Sequence, residues 1–124
     1  MKLKTNKNKH EGQLYNLSLI EKMCRGNEKQ IEKMIQAFVR QTSRSILELK
    51  FASAENDFLK IRAIVHKIKP SFTYFGSVKL ENEVKVIEAL FLGELEIVNL
   101  QSRIDILMDL VHQVISKMKN DFKL

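Results

Sequence analysis

The chain has 124 residues, 44% of them hydrophobic, with 21 basic against 15 acidic residues and a net charge of +6. That length suits one domain burying about two-thirds of its unfolded surface, so the apolar content implies a packed core and excludes a disordered polypeptide. Four glycines and one proline are too few for a turn-rich β protein, no apolar run approaches the roughly 20 residues that span a bilayer, and the single Cys24 rules out an internal disulfide.

In chain order, residues 1–13 read as a flexible basic leader or linker, with Lys2, Lys4, Lys7 and Lys9 and no acidic residue in the first ten positions. The leader lacks the apolar segment of a signal peptide. Together with the lone cysteine, which suits a reducing compartment, this leads us to expect a cytoplasmic protein that does not engage a membrane. Beyond the first ten residues the balance is 17 basic to 15 acidic, so the body of the chain is only mildly basic.

Residues 14–124 read as one helical domain. Ser18 to Glu21 has capping-box spacing and Gly26 is a natural stop, so a short helix is expected near 16–25. Asn27 can cap a second, long helix in which Ile31, Met34, Ile35, Phe38, Val39, Thr42, Ile46 and Leu49 repeat at helical spacing. A third helix is expected from about Asp57, capped by Asn56, to Phe75 or Gly76. A fourth should run from about Ser77 to Leu92, ended by Gly93. The last should run from about Asn99 to Phe122, with Ile104, Leu107, Val111, Val114, Ile115 and Met118 on one face. Four long one-sided helices with short connections predict an all-α, antiparallel up-and-down four-helix bundle carrying a short additional N-terminal helix.

The third helix raises the functional question. At about 100° per residue, Ile61, Ile64, Val65, Ile68, Phe72 and Phe75 gather into one apolar arc. His66 lies on roughly the opposite side, with Arg62 and Lys69 one turn before and after it. From Phe58 to Leu80 there are five basic residues, Lys60, Arg62, Lys67, Lys69 and Lys79, and no acidic one. Pro70 has no N–H for the carbonyl of His66 and crowds it, so a local bend is expected there. The bend could serve packing of Phe72 and Phe75, or set the height of the imidazole.

The stretch HKIKPSFTYFG, residues 66–76, resembles the signature of histidine-containing phosphotransfer domains. That signature has a histidine, an aliphatic residue at +2, lysine at +3, a small residue at +4 and glycine at +10. His66, Ile68, Lys69 and Gly76 match; Pro70 departs, standing where many members have glycine. The helix order over residues 14–122 also suits that family's bundle. The resemblance implies a phosphorelay intermediate of two-component signal transduction, with no cofactor and no metal. His66 would accept a phosphoryl group from a receiver-domain aspartyl-phosphate and pass it to another receiver. Lys69 would neutralise phosphoryl oxygens, assisted by Arg62 or Lys67. Gly76 would admit the receiver surface, and Glu88 would stand where the family often places an acceptor that orients the imidazole. The implied partners are response-regulator receiver domains, met by a monomeric free protein or by a segment of a hybrid histidine kinase.

Two neighbouring readings compete. Dimerisation helices of histidine kinases also present a phosphorylated histidine, but there an acidic residue follows it and the proline sits at +5. Here Lys67 follows, the proline is at +4, and no nucleotide-binding segment is present, so autokinase activity is not expected. The alternative is a basic helical-bundle interaction module that binds acidic partners or nucleic acid without phosphotransfer. The mild charge of the body and its confinement to one strip disfavour nucleic acid. His10 lies in the leader, His112 flanks the apolar stripe of the last helix, and neither has a partner at metal-ligand spacing. Met23, Met34, Met108 and Met118 read as core filler.

Overall fold

The computed structural model describes residues 13–93 and 99–124. They form five helices: α1 Ser18–Met23, α2 Glu28–Ala54, α3 Phe58–Tyr74, α4 Val78–Phe91 and α5 Leu100–Phe122. Among the described residues there is no strand. Helix α2 packs on α3, α3 on α4, α4 on α5, and α5 closes the ring against α2. The result is the antiparallel up-and-down bundle expected from the one-sided periodicity, with α1 as the short additional helix. Most of the expected leader, residues 1–12 with their four lysines and His10, lies outside the described residues.

The apolar stripes became the core. All six residues of the α3 arc are buried, as are all six on α5. On α2, Ile31, Ile35, Phe38, Thr42, Ile46 and Leu49 are buried, while Met34 and Val39 pack at the margin. Phe38 ties α2 to α3 through tilted and edge contacts, with ring centroids 4.5 Å from Phe75 and 6.4 Å from Phe72. Met23 departs from expectation: it is 53% exposed, because the six-residue α1 buries only Ile20.

The connections α2–α3 and α3–α4 share one design. In each, a residue of left-handed φ follows the helix, and the next residue caps the new one. Asn56 has φ +53° and the Asp57 N–H reaches back to the carbonyl of Ala52 at 2.9 Å. Gly76 has φ +62° and the Ser77 N–H reaches Phe72 at 2.9 Å. The Asp57 side chain then accepts from Lys60 N at 3.1 Å, and Ser77 Oγ accepts from Leu80 N at 3.3 Å. This corrects the expectation that Asn56 caps α3: it terminates α2, and its acidic neighbour does the capping. Ser18 is likewise the first residue of α1, and Asn16 Oδ1 accepts from its N–H at 2.8 Å.

Helix α3 runs unbroken through Pro70. Its C-terminal end is strapped by the segment before α1. Asn16 N donates to the carbonyl of Phe75 at 3.0 Å, and the Tyr15 hydroxyl donates to Asp121 at the end of α5. Burial, then the hydrogen bond to Asp121 and its negative charge, raise the Tyr15 pKa well above its usual value of 10.0.

Candidate functional site

Each turn of α3 sends its core residues inward and leaves three flanking positions outside. Lys67 falls on the α2 side, Lys69 on the α4 side, and His66 on the outer face leaning towards α4. The structure follows this geometry. His66 is exposed and opens into a groove of about 620 Å³ between α3 and the C-terminal half of α4. Arg62, Lys69 and Glu88 line the same groove. Among the described residues His66 makes no hydrogen bond or ion pair, and its side chain is exposed.

Of the residues singled out from sequence, His66, Arg62, Lys69 and Glu88 come together. Lys67 does not: its ammonium lies 3.8 Å from Glu48 of α2, in a smaller concavity on the opposite flank of α3. One residue of helical rotation from His66 is enough to carry it there. Glu88 does reach the groove, but its carboxylate accepts from Lys69 Nζ at 2.9 Å and not from the imidazole. Arg62 forms no ion pair among the described residues, which makes it the cation of the groove without a counter-ion.

Gly76 has a reason within the chain. A Cβ there would lie 2.3 Å from the carbonyl oxygen of Asn16 and 2.8 Å from its Cβ. The missing side chain lets the strap close over the α3–α4 turn, about three helical turns from His66 by the rise of the helix. His112 is exposed on α5, on a helix that does not line the groove.

Sequence reasoning missed the apolar rim. Leu59 is 82% exposed and Leu92 66% exposed, and both line the groove beside Ala63 and the half-buried Phe91. Leu59 precedes His66 by seven residues, two turns on the same face, so that spacing was available as a signal. Leu92 and Phe91 arrive from α4 and needed the fold. Leu59, Phe91 and Leu92 thus form an apolar rim around the polar side chains of Arg62, His66, Lys69 and Glu88.

Among the described residues no group of three or more histidine, cysteine or acidic side chains is arranged to hold a metal ion, and no helix is long and apolar enough to cross a membrane. No family model, curated protein or solved structure matches the chain significantly. The functional reading therefore stands on the residues and their geometry.

Proposed function

We propose that the protein is a histidine phosphotransfer domain, a relay that takes a phosphoryl group from the aspartyl-phosphate of one receiver domain and delivers it to another. The observation that carries this reading is the setting of His66: an unpartnered, exposed imidazole on a bundle face, with Arg62 and Lys69 beside it and an apolar rim around it. A ring nitrogen attacks phosphorus, the N–P bond forms as the acyl phosphate O–P bond breaks, and the donor aspartate leaves as a free carboxylate. The reverse step on a second receiver regenerates His66.

The side chains present match what phosphoryl transfer asks of a protein, which is positioning and charge neutralisation more than acid–base chemistry. Arg62 has a free guanidinium for the equatorial oxygens, and Lys69 adds a second positive charge from the following turn. The rim of Leu59, Phe91 and Leu92 favours a folded protein partner over nucleic acid, whose backbone offers no apolar surface to bury. A receiver active site rich in carboxylates is steered to this cationic groove, so association weakens as salt rises. The test is incubation with a panel of phosphorylated receiver domains, followed by phosphohistidine detection. Labelling of the parent chain and its loss in His66→Gln at unchanged helicity is the expected result. Persistent labelling of His66→Gln, or no labelling from any receiver, contradicts it.

A further inference from the structure

The groove contains a charge that opposes the chemistry proposed for it. A phosphoryl group on a side chain carries close to two negative charges at neutral pH, and the carboxylate of Glu88 shares the groove in which that group would sit. Glu88 also engages Lys69, at 2.9 Å, with both side chains only partly exposed at 30% and 42%. An ammonium held by one carboxylate offers less of its field to a second anion. Glutamine, at this position, would keep the size and the acceptor oxygen while removing the charge.

We infer that Glu88 is a positioning residue that keeps phosphorylated His66 a ready donor, by drawing Lys69 towards α4 and repelling the phosphoryl group. The inference rests on His66 being the phosphoryl acceptor. Glu88 forms no bond to phosphorus and carries no proton in the step. It raises the free energy of the phosphorylated state relative to what Arg62 and Lys69 alone would set, so the group departs more readily. Lys69 and Glu88 thus act as a counterpoised pair, and Arg62 remains the fully available cation. Sequence alone did not expose this, because the partner lies 19 residues away on another helix.

The test uses the full chain and phosphoramidate, a small-molecule donor that needs no partner protein. Its P–N bond breaks, ammonia leaves, and a new N–P bond forms on the imidazole. After donor removal, phosphorus NMR follows the decay of the phosphohistidine in the parent and in Glu88→Gln. The variant's phosphohistidine should outlive the parent's by about fivefold at low salt, the scale of one charge contact near water. The gap should close towards unity at about 1 M salt, where screening acts within about 3 Å. Equal lifetimes at low salt, a shorter lifetime in the variant, or a gain unaffected by salt would each overturn the inference while leaving His66 as the acceptor. A parent chain that takes no label on His66 overturns the acceptor reading itself, and this inference with it.

Discussion

The two ends of α3 differ in what is packed against them. Towards the C-terminus, Phe72 and Phe75 are buried, Gly76 is covered by Asn16, and the strap from Tyr15 to Leu17 closes the end of the bundle. Towards the middle and N-terminus, Leu59, Arg62 and His66 stand exposed beside an open groove. The inner face is the same throughout, an unbroken apolar stripe. The contrast separates a half that fixes the helix from a half that presents it. A side chain on the open part thus stands on a helix anchored by its core packing, while its own surroundings stay open.

The largest effect should come from attacking the fixed half. Phe72→Ala removes a fully buried ring that meets Phe38 and should cost about 3–5 kcal/mol, measured by urea unfolding. Leu59→Ser at the open half should change stability by less than about 0.5 kcal/mol, yet weaken receiver association, since its side chain stands in solvent. A large stability loss from Leu59→Ser would erase the distinction between the halves.

A smaller effect separates the two turns. Asn56 and Gly76 adopt nearly the same left-handed φ, so φ alone does not demand glycine at either. What differs is the space: Asn56 is exposed, whereas a Cβ at position 76 meets Asn16. Gly76→Ala should therefore destabilise by more than the roughly 1–2 kcal/mol that left-handed geometry costs an ordinary residue. Asn56→Ala should stay near or below that cost. Equal losses in denaturant unfolding would mean that the strap yields easily.

The smallest effect concerns the strap's other anchor. Folding raises the Tyr15 pKa above its ordinary 10.0, chiefly by burial and then by Asp121. Above that pH the unfolded chain loses the proton while the native one keeps it. Stability contributed by the protonated hydroxyl is thus present below about pH 10 and declines as pH rises, by at most about 1.4 kcal/mol per unit. Tyr15→Phe should be somewhat less stable near neutrality and should lose less on going from pH 9 to pH 11. Parallel stability curves for the two proteins would show that the Tyr15–Asp121 contact does not persist in solution.

How much of this was legible follows from distance along the chain. The arc from Ile61 to Phe75 was legible because helical spacing alone decides which side chains point inward, and the tertiary structure used the same face. The separation of His66 from Ile64 and Val65 came from the same count. Lys67 adjoins His66 in sequence but not in the groove, because about 100° of helical rotation turns it to Glu48. The cap of α3 was assigned to Asn56, one residue early, because Asn56 and Asp57 can both cap and only the left-handed φ of Asn56 decides between them. Contacts such as Asn16 over Gly76 and Lys69 with Glu88 join separate elements, and no periodicity within one helix encodes them.

The central claim is that His66, and no other histidine, carries the phosphoryl group. Site localisation by mass spectrometry under alkaline, phosphohistidine-preserving conditions, after exposure of the intact chain to a phosphorylated receiver, tests it most directly. A single added phosphoryl group on the peptide containing His66 is the result this account predicts. A phosphoryl group on His112 or His10, or a chain that remains unmodified while the receivers lose their phosphate only to water, would contradict it.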